Sequence, residues 1–268
     1  MITNHQLPQN IRNIIDNQVN KFKEHVFTEE YSEIPTAGNF PTEQSNKWFK
    51  IKNVICVFVD MKNSTKLSAT HHATSTAKAY TLFTGTAVRI FHEFGAPYID
   101  IKGDGVFALF NASQTHVALA AAVSFRTFAQ EVFKPKVANK TEVDVGSHIG
   151  IDQATLLVSK IGLRRNQVRS DKHNEVWAGK AVNMAAKLSS LSSGGEIYVS
   201  DRFFKNIKHP KALNSCGCGS SCGSQNLWSE KDLTFDDRFS FNKAHILESI
   251  WCRKHGTQYL GEIIDADK

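Results

Sequence analysis

The stretch from Ala96 to Phe110, APYIDIKGDGVFALF, sets two short β-rich arms on either side of Gly103-Asp104-Gly105. Asp-Gly between such arms is a strong local signal for a β-hairpin, because both residues tolerate the backbone angles of a tight turn. A lone hairpin is barely stable in water, so this one commits the chain to a larger sheet. The neighbouring segments supply it. Val54 to Asp60, VICVFVD, is a continuous apolar run that predicts a buried strand, and Ala73 to Phe94 has the length and periodicity of a helix. After the hairpin, His116 to Phe133 predicts a second helix and Val143 to Ile151 and Leu156 to Ile161 further strands. Lys180 to Ser190 then reads as a helix and Glu196 to Ser200 as a short strand. The order is βαββαβ with additions, which predicts an α+β fold of ferredoxin-like type, an antiparallel sheet with helices packed across it.

Outside this block the pattern changes. Ile11, Ile14, Ile15, Val19, Phe22 and Val26 fall on one face of a helix, whose stripe must dock on the rest of the chain or on a second copy. From Thr28 to Lys47 the sequence is polar and broken by Pro35, Gly38 and Pro41, which predicts a surface linker. The expected organisation is a helix and linker over 1–47, a catalytic domain over 48–210, and a C-terminal extension with a Cys-rich loop over 211–268.

With 268 residues and 41% apolar content, one principal domain can bury a full core. No apolar run approaches the roughly 20 residues that span a bilayer, and the start, MITNHQLPQN, lacks the features of a signal peptide. A cytoplasmic protein without stable membrane association is expected. The formal charge of +6 suits a polyanionic ligand, but the basic residues form no Lys/Arg block and the aromatic residues are not interleaved with one. A nucleoside triphosphate therefore fits better than nucleic acid.

Asp60 ends a predicted strand and Asp104 sits at a hairpin tip, so both carboxylates can be exposed and the topology can bring them together. Two hard carboxylates with open positions suit paired Mg²⁺ or Mn²⁺ ions held jointly with phosphate oxygens. On spacing alone, ordinary turn aspartates are the better explanation, because Asp is common at strand ends and Asp-Gly is common in hairpins.

Four segments in order change that balance. VFVDMKNST, IDIKGDGVFALF, IGIDQATLLVSKIG and VWAGKAVNMAAKLSSLSSGGEIYVS resemble the metal strand and phosphate loop, the second metal hairpin, the glycine-containing strand pair and the substrate helix of the class III adenylyl and guanylyl cyclases. The resemblance runs from about Asn53 to Phe204. It implies a homodimer with two shared sites, in which Asp60, Asp104 and the Met61 backbone hold two ions and the segment Asn63, Ser64 and Thr65 cradles phosphate. Asn183 and Lys187 would come from the other subunit. One ion would activate the ribose 3′-hydroxyl for attack on the α-phosphorus while the other neutralises the departing pyrophosphate. Asn183 matches the residue that orients the ribose. Lys187 stands where the family usually has arginine; it keeps the charge but loses the planar fork, so Lys180, Arg164 or Arg165 could share its task.

The two base-selecting positions of the family fall at Asp100 and Val176, and neither is of the usual adenylyl or guanylyl type. Asp100 can accept from cytosine N4, guanine N1/N2 or uracil N3, whereas Val176 offers no hydrogen bond. Trp48, Phe49 and Trp177 either narrow the site for a one-ring base or belong to the core. Together with the short helical extension, these departures resemble the bacterial pyrimidine cyclases of Pycsar anti-phage defence. That likeness implies cyclic CMP or cyclic UMP as a messenger to a separate effector protein, with CTP favoured by the fit of Asp100 to the N4 amine. A purine cyclase in ordinary signalling and a catalytically silent nucleotide-binding module are the rivals; the second is disfavoured by two intact carboxylates.

Five cysteines, an odd number, argue against a disulfide framework. Cys56 reads as a core residue. Cys216, Cys218 and Cys222 lie in a Gly/Ser loop, and Cys252 with His255 follows about thirty residues later, which offers soft ligands for a structural Zn²⁺ at a spacing that is not a standard one. A loop with free thiols is the plain alternative.

Overall fold

The computed structural model describes residues 2–163, 173–218, 223–248, 252 and 254–268. In chain order the elements are α1 (Gln9–Phe22), β1 (Phe27–Tyr31), β2 (Lys47–Lys62), α2 (Ser64–Thr70), α3 (Ala73–Glu93), β3 (Tyr98–Lys102), β4 (Gly105–Phe110), α4 (Thr115–Phe128), α5 (Lys134–Thr141) and β5 (Gly146–Gly162). There follow β6 (His173–Gly179), α6 (Lys180–Ser189), β7 (Ile197–Ser200), α7 (Asp201–Phe204), α8 (Pro210–Leu213), β8 (Trp228–Asp232), β9 (Lys243–Leu247) and α9 (Gly256–Asp265). A π-helical turn at Ala129–Phe133 joins α4 to α5.

The sheet runs β3-β4-β2-β5-β7-β9-β8, with β1 added to β2 and β6 to β5. Its centre is the expected βαββαβ unit. The long strands β2 and β5 pair antiparallel from Phe49/Val158 to Lys62/Gly146, and the β3–β4 hairpin closes on β2. One face is covered by α3 and α4, where Phe83, Phe91, Phe125 and Phe133 are buried against Val57, Val59 and Met61. On the other face α6 lies over Cys56, Phe107 and Leu109 through Ala181 and Ala185.

An irregularity in β2 decides which residues reach which face. The register with β5 shifts between Ile51 and Val54, where Asn53 takes φ 54° and its carbonyl accepts from Gln153 Nε2 at 3.0 Å. Phe49 and Ile51 before the bulge therefore share a face with Val54 and Cys56 after it.

Several expectations change in extent. The N-terminal helix ends at Phe22, and the segment read as a linker contains β1, which pairs parallel to β2 from Phe27/Lys47 to Tyr31/Ile51. Its polar sequence, FTEEY, hides an edge strand held by cross-strand pairs such as Lys50–Glu30 at 2.9 Å. The strands read at 143–151 and 156–161 are one strand, since Gln153 and Ala154 stay in the ladder with β2. Beyond α7 the sheet gains β9, antiparallel to β7, and then β8.

Candidate active site

Directly opposed residues of an antiparallel pair share a face, so the registers of β3, β4, β2 and β5 lay side chains out in rows. Tyr98, Leu109, Cys56 and Asp152 form one row, and Asp100, Phe107, Phe58 and Gly150 the next. Lys102 opposes Gly105 and Asp60 opposes His148 in the row beyond. Asp60 and Gly105 meet there: a Cβ built on Gly105 would lie 3.3 Å from Asp60 Oδ1. Asp104, at the hairpin turn beside Gly105, brings its charge to Asp60.

The electrostatics mark these carboxylates. Burial pushes the Asp60 carboxyl up to about 6, the charge of Asp104 adds to that rise, and the Met61 N–H opposes it. Among the described residues no basic side chain forms an ion pair with either; Lys102, the nearest in the rows, is paired with Asp100 at 2.7 Å. Two adjacent carboxylates, one of them costly to ionise and neither neutralised by the protein, are a donor set that fits hard divalent cations. Met61 points its side chain into the core beneath α3, where it is 2% exposed, so only its backbone is available to a ligand.

After β2 the chain turns at Asn63, in left-handed geometry with φ 60°, and enters α2. The Asn63 amide donates to the Asp144 carbonyl at 2.8 Å, and Lys62 Nζ reaches Asp144 Oδ2 at 3.0 Å, which fixes the turn from β2 into the start of α2, where Ser64 and Thr65 lie.

The remaining candidates lie elsewhere. On α6, Ala181, Ala185 and Leu188 are buried, while Asn183 and Lys187, one turn apart, are on the outward side. The helix sits against the strand because residue 150 is glycine: a Cβ there would be 2.0 Å from the Ala185 carbonyl oxygen and 2.5 Å from the Ser189 nitrogen. Lys187 Nζ donates to the Arg238 carbonyl at 2.7 Å, in the β8–β9 connection. Lys180 is exposed at the first position of α6, after Gly179 at φ 144°. Val176 is 40% exposed on β6, opposite Ser159. Its neighbour Trp177 packs on Tyr98, two residues before Asp100, at 4.9 Å. Arg164 and Arg165 lie outside the described residues.

Phe49 and Trp177 are packing residues. Trp177 meets Phe40 edge-on at 5.4 Å and Tyr98 at 4.9 Å, and Phe49 packs on Tyr31 at 4.4 Å. Trp48 looks towards α1, in a recess shared with Gln18, Phe22 and Val26. The aromatic groups thus build the wall beneath the site.

Three residues near the candidate groups escaped the sequence reading. Lys102 sits beside Asp100, His148 lies across from Asp60, and Arg238 touches Lys187. Period-2 alternation places Lys102 and Asp100 on one face, and in β5 it sets His148 in phase with Gly150, so both could have been found. Burial holds the His148 ring towards its neutral form, with Lys62 adding to this and the Ser192 backbone opposing it. Nothing local foretells Arg238.

The catalytic-domain model of the adenylate and guanylate cyclases matches residues 47–216, the span that holds Asp60, Asp104, Asp100, Val176, Asn183 and Lys187. The chain belongs to the class III nucleotide cyclases. A uridylate cyclase of Propioniciclava tarda is 35% identical to this cyclase over 237 residues, 87% of this chain and 75% of that protein. A uridylate cyclase of Micromonospora echinofusca is 32% identical, covering 84% and 73%. In fold, the cyclase is similar to the adenylyl cyclase CyaB from P. aeruginosa, with a TM-score of 0.61 at 18% identity over 77% of this chain and 97% of that one. Among the described residues no helix is long and apolar enough to cross a membrane.

Proposed function

We propose that this cyclase converts a pyrimidine nucleoside triphosphate, UTP in first place, to its 3′,5′-cyclic nucleotide and pyrophosphate, working as a homodimer with shared sites. The observation that carries the pyrimidine reading is the agreement of two relatives named uridylate cyclase, at 35% and 32% identity over most of their length. The site is compatible with it. Asp100 accepts from an imide N–H, and Lys102 at 2.7 Å adds a donor for the adjoining carbonyl oxygen, the pattern of uracil N3 and O4. CTP is the second reading, since Asp100 can equally accept from the N4 amine.

Asp60 and Asp104, with the Met61 backbone, would hold two Mg²⁺ or Mn²⁺ ions, which supply charge neutralisation at phosphate and acidify the ribose hydroxyl. The chain's own groups do the rest. The backbone of Asn63, Ser64 and Thr65 holds the phosphates. Asn183 of the second subunit orients the ribose, and Lys187, with Lys180 near it, neutralises charge on the transferred phosphoryl group. To do so Lys187 leaves the Arg238 carbonyl. Val176 gives an apolar contact to the base.

Two features support sharing between subunits. Asn183 and Lys187 lie on the side of α6 turned away from the sheet that carries the carboxylates. The stripe on α1 also lacks cover, with Ile14 57% and Phe22 91% exposed, which fits a contact made by a second copy. The cellular role we infer is cytoplasmic synthesis of a messenger in anti-phage defence, read by a separate effector protein.

The test is incubation with ATP, GTP, CTP and UTP in competition, with Mn²⁺, followed by mass spectrometry of the products. Cyclic UMP is expected to dominate. Dominant cyclic CMP would move the assignment to the second reading, and dominant cyclic AMP or cyclic GMP would overturn both.

A further inference from the structure

Away from the active site, the C-terminal segment gathers four soft ligands. Cys216 and Cys218 follow α8, and Cys252 and His255 immediately precede α9. Cys216 Sγ lies 3.2 Å from Cys218 Sγ and 3.4 Å from Cys252 Sγ, Cys218 Sγ is 3.5 Å from Cys252 Sγ, and Cys252 Sγ is 3.5 Å from His255 Nδ1. All four ligand atoms fall within 4.8 Å of one another. These sulfur separations exceed by far the roughly 2.05 Å of a disulfide. They approach the edges of a tetrahedral zinc site, where bonds of about 2.3 Å to sulfur and 2.0–2.1 Å to nitrogen set the ligands about 3.5–3.8 Å apart.

The surrounding backbone is arranged for such a centre. Leu227 N donates to Leu213 O at 2.9 Å and Ser215 N to Gln225 O at 2.7 Å, which fixes the chain immediately before Cys216. Gly217, at φ 72°, turns between Cys216 and Cys218 with its Cα so close to the Gly223 backbone that a Cβ would meet it at 2.6 Å. The His255 N–H points at Cys252 Sγ from 3.3 Å, the kind of hydrogen bond that stabilises a metal-bound thiolate. Cys222 lies outside the described residues and is not needed to complete four ligands.

We propose that Cys216, Cys218, Cys252 and His255 bind one Zn²⁺ as a closed S₃N site that fastens the start of α9 to the loop after α8. The far end of that segment is already tied, since Asp267 accepts from His116 Nδ1 at 2.6 Å and from Val117 N at 2.7 Å. Between the two ties the helix buries Ile263, and Lys211 stacks over Tyr259 at 4.7 Å. The metal clasp thus supplies at the entry of α9 what Asp267 supplies at its exit. It also fixes one wall of a cavity of about 1000 Å³, which Cys252, Gly256 and Leu260 line opposite Arg126, Gln130 and Gly195.

The full chain is purified under reducing conditions in an Asp60→Asn/Asp104→Asn background, so that metal held at the proposed cyclase site does not enter the count. Elemental analysis should then find about one zinc per chain. Mercurial titration of the thiols should release that zinc in step with their modification. Replacement by Co²⁺ should give the visible d–d bands of tetrahedral thiolate-bound cobalt, shifted but retained in His255→Cys. Cys216→Ser/Cys252→Ser should lose the metal and become sensitive to proteolysis ahead of α9. Should that variant fail to fold, the cobalt spectra of the parent and of His255→Cys still decide. Zinc well below one per chain, a Cys216–Cys252 disulfide in the metal-free protein, or octahedral cobalt spectra would overturn the assignment.

Discussion

Asp60 Oδ1 lies where a methyl group on Gly105 would press upon it, at 3.3 Å, with the Phe58 ring at 3.0 Å from the same position. Glycine at 105 lets the hairpin that carries Asp104 approach the strand that carries Asp60 without displacing the Phe58 ring or the Asp60 carboxylate. In Gly105→Ala, repacking of Phe58 should cost about 1 kcal/mol of stability. The turnover number should fall far more, by about tenfold to a hundredfold, because a misplaced reacting group is costly. Thermal melts beside steady-state kinetics measure both, and a variant of unchanged turnover would show that the two carboxylates need not be so close.

Asp60→Asn should separate stability from activity. The Asp60 carboxyl titrates at about 6 against an ordinary 3.8, so between these values the folded chain binds more protons than the unfolded one. Ionised Asp60 therefore costs stability in full above about pH 6, and the cost shrinks as pH falls from 6 and is gone below about 4. With chelator present at pH 7.5, Asp60→Asn should be the more stable protein by roughly 1–2 kcal/mol, after discounting for the exposed part of the group, and the gain should vanish near pH 4. Cyclase activity should be lost at every pH. Calorimetry of both proteins at the two pH values reads the difference.

Gly150→Ala should loosen α6. Its Cβ would meet backbone atoms of Ala185 and Ser189 at 2.0 and 2.5 Å, and backbone cannot step aside as a side chain does. A loss of about 3 kcal/mol, with activity reduced through misplaced Asn183 and Lys187, is expected. Denaturant unfolding and hydrogen exchange over 180–189 would locate the damage.

Mixed dimers test the sharing of sites. Asp60→Ala and Asn183→Ala should each be inactive alone. Mixed in equal amounts and allowed to exchange subunits, they should recover about a quarter of the normal activity, because half the dimers then hold one intact site. No recovery, with exchange verified, would place both residues in the site of a single chain.

Lys102→Met should release Asp100 from its ion pair and remove the second base-reading group. KM for the preferred triphosphate should rise about tenfold, as for loss of a charge-assisted hydrogen bond, while kcat changes little. An unchanged KM would remove Lys102 from base recognition.

The central fold was legible because its signals are local. The hairpin at Asp104, the apolar run ending at Asp60 and the helix from Ala73 each carry their own period, and the observed bounds of that helix, Ala73–Glu93, lie within one residue of those read from sequence. The edge strands were not legible: β1 and β8, FTEEY and WSEKD, are polar runs that pair only because a neighbouring strand is already in place. In the site, the carboxylates could be named but not their surroundings. The pairing of Lys102 with Asp100 follows from alternation along β3, but that Lys187 would meet the Arg238 carbonyl depends on a contact between positions 51 residues apart. The aromatic residues misdirect for a related reason, since Trp177 faces Phe40 and Tyr98 and no periodicity tells a ring in a wall from a ring in a pocket.

The bulge at Asn53 acts as a phase break. Upstream of it, alternation along β2 is counted from one origin, and downstream from another, so the direction in which Asp60 points is independent of the side chains that begin the strand. A single residue gained or lost beyond the bulge, between Val54 and Val59, would exchange the places of Asp60 and Met61, sending a carboxylate beneath α3 and a thioether towards Asp104. A length change before Asn53 would leave the carboxylate where it is. The first half of this strand is thus free to vary in length and in what it packs against, while the short stretch that follows the bulge must keep strict count.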